Sequence, residues 1–126
     1  MTNIEIAAAL FQAFVDGDDE TARSLCSDNF QAIQNGGSPM DLATVLAFSA
    51  AVQSVVRDFR YENPKRSATQ AGFVEEHDVC GTLPDGAELR LSVCVVAEMN
   101  VGKITSMREY FDSASAAALA AHLDAA

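Results

Sequence analysis

The chain has 126 residues, a formal net charge of −10, 49% hydrophobic residues and 21% charged ones. That length predicts one domain, residues 1–126, with room for a real core, and the composition is that of a globular protein. The acidic balance argues against nucleic acid and against an anionic membrane as partners, since both need basic patches; the one basic cluster, Arg57, Arg60, Lys65 and Arg66, is interrupted by Pro64 and reads as a solvated loop.

Met1 to Phe11 has no basic region ahead of its apolar stretch and carries Glu5, so it reads as the start of a helix and not as a signal peptide. The helix predicted over Ile4 to Val15 has Ile4, Ala7, Ala8, Phe11, Phe14 and Val15 at helical spacing, and Asp16-Gly17-Asp18 stops it. A second short helix follows, with Ala22, Leu25 and Cys26 inward. Phe30 to Gln34 is a short extended piece ending at the turn signal Asn35-Gly36-Gly37. A third helix is predicted from Pro39 or Asp41 to about Val56, with a wide apolar face of Leu42, Val45, Leu46, Phe48, Ala51, Val52 and Val55.

From Phe59 the period changes to two. Strands are predicted over Phe59 to Glu62, Ala71 to Leu83, Glu88 to Met99 and Lys103 to Phe111, with Asp85-Gly86 and Val101-Gly102 as the turns. An alanine-rich helix, Ser113 to Leu123, closes the chain. Helices first and an antiparallel meander after them imply an α+β fold with helices packed on one face of a curved sheet. The chain has no run of apolar residues long enough to span a membrane. Its three cysteines, Cys26, Cys80 and Cys94, have no metal-type spacing and leave an odd one out; buried free thiols, and with them a reducing, cytoplasmic setting, are the expectation.

The segment Val74-Glu75-Glu76-His77-Asp78 places acidic groups on a strand flanked by apolar ones. Carboxylates on an inner sheet face need a reason, because burying unpaired charge is costly. Reading Asp85-Gly86 as a two-residue turn, with Pro84 opposite Ala87, pairs Thr82 with Leu89, Cys80 with Leu91, Asp78 with Val93 and Glu76 with Val95. One face then carries Glu76, Asp78 and Cys80 beside Leu91, Val93 and Val95. The other carries Glu75, His77 and Val79 beside Arg90, Ser92, Cys94 and Val96. The next turn leaves two registers. A two-residue Val101-Gly102 turn puts Arg108 and Tyr110 on the Asp78 face. A three-residue Asn100-Val101-Gly102 loop puts Val93 opposite Glu109 and Leu91 opposite Phe111, and glycine at its third position favours it. Asp78 and Glu109 then face the same side with one strand between them, their backbones roughly 10 Å apart. Close carboxylates that cannot all ionise comfortably give an acid and a base side by side; the competing reading is that these groups reach solvent at a sheet edge or pocket mouth.

By the same parity His77 points away from Asp78 and reads as structural or interfacial, His122 as solvated, and Asp112 as the start of the last helix. Phe11, Phe14, Phe48, Val52, Val55, Leu91, Val93 and Phe111, with Cys80 on the Asp78 face, are candidates to line a ligand pocket or to be plain core. The other sheet face, with Val79, Cys94, Val96, Ile104 and Tyr110, reads as too apolar to be bare and suggests a homodimer through the outer sheet face.

The helix-helix-helix-meander order, Gly17-Asp18 after the first helix, Pro84-Asp85-Gly86, and the ending Gly102-Lys103-Ile104 through Arg108-Glu109-Tyr110-Phe111-Asp112 resemble, over the whole chain, the SnoaL-like branch of the nuclear transport factor 2-like superfamily. That resemblance implies a cone-shaped domain in which helices cover a curved sheet around an apolar pocket. From Glu75 to Asp112 the chain is similar to limonene-epoxide hydrolase, whose Asp-Arg-Asp set, helped by a Tyr and an Asn, activates water and protonates an epoxide. Asp78 matches the first Asp, Glu109 stands in place of the second, and Asn35 matches the water-holding Asn. Glu76 stands where that family has its Arg and Ile33 where it has its Tyr, so the same hydrolytic mechanism is not implied. The resemblance to ketosteroid isomerase is weaker, since Phe11 and Phe14 offer no hydroxyl. SnoaL-type polyketide cyclases, which use an Asp as acid/base without a metal, are departed from less.

The expectation is an enzyme without metal or cofactor, of isomerase, cyclase or hydrolase type, acting on a small apolar molecule. Asp78 and Glu109 would be the acid/base pair, Glu76 would tune them, and Asn35 would orient water or substrate. A ligand-binding or interaction module without catalysis on the same scaffold is the alternative.

Overall fold

A computed structural model describes residues 1–125. In chain order it shows α1 (Asn3–Asp16), α2 (Asp19–Leu25), β1 (Cys26–Gln34), α3 (Leu42–Val55), β2 (Arg57–Ala68), β3 (Gly72–Thr82), β4 (Glu88–Asn100), β5 (Lys103–Phe111) and α4 (Ala117–Ala125). The strands form one sheet in the order β1-β5-β4-β3-β2. β2 to β5 are the expected antiparallel meander, and β1 adds to the β5 edge in parallel, with Ala32 opposite Met107 and Gln34 opposite Glu109. The fold is α+β, the sheet is mixed and it does not close.

Local chemistry sets the helix ends. Thr2 and Glu5 form a reciprocal capping box at the start of α1, and Asp18 and Asp41 accept from Thr21 N and Thr44 N at the starts of α2 and α3. α1 buries Ile6, Ala7, Leu10, Phe11, Ala13 and Phe14 against the sheet, while Ile4, expected inward, is exposed. α3 is less deeply seated. Of its broad apolar face only Leu46 and Val52 are buried, because the helix walls a cavity instead of pressing on a filled core. α4 starts four residues later than its alanine run suggests, since Asp112 first ties a turn through Ala114 N and the Ser115 hydroxyl.

β2 is longer than Phe59 to Glu62 and passes through Pro64. Asn63 takes a left-handed φ of 56° at a register shift between Glu62 and Lys65, so the proline sits at a bulge on an edge strand, where it breaks no inner ladder.

The two hairpin turns are the reverse of the sequence expectation. Between β3 and β4, Leu83 N donates to Ala87 O and Gly86 N to Leu83 O, with Gly86 at φ 89°; this is a three-residue Pro84-Asp85-Gly86 loop. Between β4 and β5, Asn100 pairs with Lys103 across a two-residue Val101-Gly102 turn, and a bulge between Glu98 and Met99 then shifts the ladder by one. The first difference moves the β3–β4 register by one residue: Cys80 pairs with Arg90, Asp78 with Ser92 and Glu76 with Cys94. A one-residue slip reverses faces. Glu75, His77 and Val79 therefore share the inner face with Leu91, Val93 and Val95, and Glu76, Asp78 and Cys80 lie on the outer one.

Candidate functional site

A cavity of about 440 Å³ lies between the inner sheet face and helices α3 and α4. Its walls include Phe14, Phe48, Val52, Leu91, Val93 and Phe111 from among the residues singled out in the sequence. Phe11 stands one layer behind, its ring edge-on to His77 at 4.9 Å and to Tyr61 at 5.5 Å. Val55 is half-buried but does not line the cavity, and Cys80 is buried on the opposite face, its thiol pushed up by burial and by Glu62.

The polar floor comes from three strands. β4 sits between β3 and β5, and its register aligns His77, Val93 and Phe111 in one row and Glu75, Val95 and Glu109 in the next. His77 and Glu109 thus face the same space with only valine side chains between the strands that carry them. Both line the cavity.

Glu109 accepts from Gln34 Nε2 at 3.2 Å, a contact set by the β1–β5 pairing. Burial raises its carboxyl above the ordinary 4.5, against smaller downward pulls from His77 and Gln34. His77 is 4% exposed. Its Nδ1 lies 2.6 Å from Glu75 Oε2, and the other Glu75 oxygen takes the Nε of Arg66. Glu75 itself is fully buried. The carboxylate can only accept, so it fixes the imidazole proton on Nδ1 and leaves Nε2 free of any hydrogen-bond partner among the described residues. Tyr61, brought in from β2 opposite Val79, packs its ring 4.4 Å from that of His77, tilted by 45°. Burial first, then the charges of Glu109 and Glu75, push its phenol far above the usual range, so it stays a hydroxyl donor.

Three of the four expected catalytic residues do not reach the cavity. Asp78 accepts from Ser92 Oγ at 2.9 Å, Asn63 Nδ2 at 3.1 Å and Arg90 at 3.1 Å on the outer face, and these bonds hold its carboxyl below the ordinary 3.8. Glu76 is exposed beside Lys65. Asn35 sits in the turn after β1 with φ 50°, its Oδ1 accepting from Phe111 N at 3.0 Å and its own N–H bound to Glu109 O. It pins the end of β5 and does not line the cavity. Glu109 alone of the four faces the cavity.

Val79 and Ile104, expected on the outer face, point inward as well. That face instead carries a ladder of charges, Arg90 with Asp78 and Glu62, and Arg108 with Glu98 at 2.7 Å, with Cys94, Val96 and Tyr110 between them. It makes a weaker case for a sheet-to-sheet homodimer than the sequence pattern did.

Sequence reasoning passed over Glu75, His77, Tyr61 and Gln34. For the first two the signal was Pro84: proline suits the first corner of a type I turn and glycine the left-handed position after it, so Pro84-Asp85-Gly86 marks a three-residue loop. Among the described residues no cluster of His, Cys, Asp or Glu is arranged to hold a metal ion, and no helix is long and apolar enough to cross a membrane.

No family model matches the chain, and no curated protein matches it by sequence. Solved structures do match in fold. TerC, co-crystallised with polyporic acid, is 24% identical, with a TM-score of 0.78 over 93% of this chain and 96% of that one. An epoxide hydrolase of M. tuberculosis, like limonene-epoxide hydrolase, is 21% identical, with a TM-score of 0.72 over 98% and 92%. A protein from Catenulispora acidiphila with a ketosteroid isomerase-like fold, in complex with trimethylamine, is 14% identical, with a TM-score of 0.77 over 91% and 90%. Proposed polyketide cyclases share the architecture. The fold is therefore that of the ketosteroid isomerase-like and nuclear transport factor 2-like proteins, which is where the sequence pattern pointed.

Proposed function

We propose that the chain is an acid/base enzyme, working without a metal, that moves a proton on a small apolar molecule held in the cavity. The observation that carries this reading is the pair of buried His77 and half-buried Glu109, facing one apolar space from strands separated only by β4. His77 takes and returns the proton through Nε2. Glu75 and Arg66 hold its ring and offset the positive charge it gains. Glu109 is the partner carboxyl, and burial raises it above a free glutamate, which suits it to donate a proton. Tyr61 adds a hydroxyl donor at the wall, from β2 and not from the Ile33 position.

Isomerisation or cyclisation fits this set better than epoxide hydrolysis, since Asp78 and Asn35 are not in the cavity to hold a water. Other proteins of this fold support a small-molecule role: one holds trimethylamine, another polyporic acid, and others are an epoxide hydrolase and proposed polyketide cyclases. An NMR titration of the side-chain carboxyls tests the reading. Glu109 should titrate above 4.5. A Glu109 that titrates at or below that value removes the physical basis of the proposal.

A further inference from the structure

The polar atoms that reach the cavity are unevenly matched. Gln34, Ser49, Tyr61, His77, Glu109 and Asp124 line it, and neither lysine nor arginine does. The nearby guanidinium of Arg66 is bound to Glu75, and the Gln34 amide to Glu109. His77 Nε2 is an acceptor while Glu75 holds the proton on Nδ1. Glu109 has one donor for its two oxygens. Asp124, on the exposed end of α4, adds a third accepting group at the edge. Between these acceptors stand the rings of Phe14, Phe48, Phe59, Tyr61 and Phe111.

An anionic ligand would meet no cationic side chain there and two carboxyls, and its desolvated charge would go uncompensated. A hydrocarbon would leave the free lone pairs of His77 and Glu109 unanswered. A protonated amine answers both: its N–H groups donate to the carboxylate or the imidazole, and its alkyl groups rest on aromatic faces that attract cations. The net charge of −10 favours the approach of such a ligand. We propose that the cavity takes a small hydrophobic amine, bound as its ammonium ion with Glu109 as the counter-ion.

This inference rests on the cavity being the ligand site of the proposed enzyme, but not on proton transfer by His77. It carries a signature of its own. Burial raises the Glu109 carboxyl and a cation bound beside it lowers it again, so amine binding is linked to loss of the Glu109 proton. The other titratable side chains that line the cavity are His77 on β3, Tyr61 on β2 and Asp124 on α4, with Glu75 and Arg66 behind His77; the polar lining from β1 and α3 is the neutral Gln34 and Ser49.

Calorimetry with three probes of one size tests it: N,N-dimethylcyclohexylamine, cyclohexyl methyl ketone and cyclohexanecarboxylate. Near neutral pH the ammonium should bind about tenfold more tightly than the ketone, and the carboxylate most weakly. Repeating the amine titration at successively lower pH should show affinity falling as Glu109 takes up its proton. Glu109→Gln should lose about tenfold in amine affinity and leave the ketone within about twofold. Equal affinity for amine and ketone, binding by none of the three, or an unchanged amine affinity in a folded Glu109→Gln protein overturns the proposal. Loss of amine selectivity alongside intact His77-dependent proton exchange would sink the ligand class and leave the acid/base reading standing. Amine selectivity without such exchange would do the reverse.

Discussion

Glu109 and Asp78 are carboxyls of one sheet, on strands separated only by β4, yet they sit in opposite environments. Asp78 faces outward, where Ser92, Asn63 and Arg90 all donate to it and hold its carboxyl below its ordinary value. Glu109 faces inward, where apolar walls raise it and a single amide donates to it. A carboxylate with three donors is stabilised in its charged form and has little reason to move a proton. A carboxyl with one donor in an apolar cavity is shifted toward its protonated form, and a shifted acid is what proton transfer uses. Which face a strand residue occupies therefore separates a structural acid from a candidate functional one.

The largest test of that contrast is Glu75→Ala. Glu75 is the one inner carboxylate that is fully paired, by His77 and Arg66, and it is completely buried. Removing it leaves the ring nitrogen of His77 without its partner and Arg66 without its counter-ion. Denaturant unfolding should show a loss of about 3 kcal/mol, the lower end for breaking a buried pair, because Arg66 retains a path to solvent. A loss no larger than that of an ordinary surface substitution would mean that the inner cluster is solvated and that the two faces do not differ as described.

Next in size is the effect of His77→Gln on proton transfer. A general base contributes on the order of 10²-fold or more. Exchange of carbon-bound protons of a bound ligand with D2O, followed by NMR, should slow by that amount, with the fold intact. The same change at Asp78, as Asp78→Asn, should leave the exchange rate within about twofold, because a substitution outside the cavity removes no proton-transfer group. Equal losses at both positions would break the assignment of the site to the inner face.

The pH dependence of stability gives a third test, with opposite signs for the two acids. Glu109 has a folded value raised above its ordinary 4.5. Above the ordinary value the unfolded chain has released a proton that the folded chain still holds, so its contribution to stability falls as pH rises through the folded value. Glu109→Gln should remove that fall and make the protein more stable near neutral pH than the parent. Asp78 has a folded value lowered from 3.8. Its contribution is fully present above that pH and is lost as pH falls through the folded value. Asp78→Asn should therefore weaken the protein at neutral pH and flatten the acid limb. Urea unfolding across the pH range reads both slopes.

Much of this contrast was legible in the chain, and the part that was not hangs on a turn. Alternation within β3 correctly set Glu75 and His77 apart from Glu76 and Asp78, and β5 runs over the expected Lys103 to Phe111. What alternation cannot supply is which alternate set faces inward, because β3 carries acidic residues on both faces. That choice was left to the hairpin. Pro84 belongs to the loop and not to a strand pair, so the register moved by one and the whole set of β3 side chains changed sides. Glu109 shares a face with Val93 for a different reason than the glycine loop suggested: the two-residue turn at Val101-Gly102 is offset by the bulge at Glu98 and Met99. A bulge leaves no clear mark in one sequence. The parallel pairing of β1 with β5, which brings Gln34 to Glu109, was equally out of reach, since it joins segments 75 residues apart.

The turn also gives the smallest test. If the Pro84-Asp85-Gly86 loop sets the face of every β3 side chain, loosening it should first cost stability and leave the site alone. Gly86 has φ 89° and nothing near the place a Cβ would occupy, so Gly86→Ala meets backbone strain and no clash. The loss should be about 1 kcal/mol by chemical denaturation. The His77–Glu75 contact lies several pairs along the ladder from the loop, and its register there is held by the pairing of Glu75 with Val95 and His77 with Val93. NMR shifts of the His77 ring should therefore stay where they are in the parent. If they move while stability does not, the turn is communicating with the site and the register is less firmly set than the inner valines imply. The opposite pattern, a modest loss of stability with an unmoved ring, is what a turn that merely selects the face predicts.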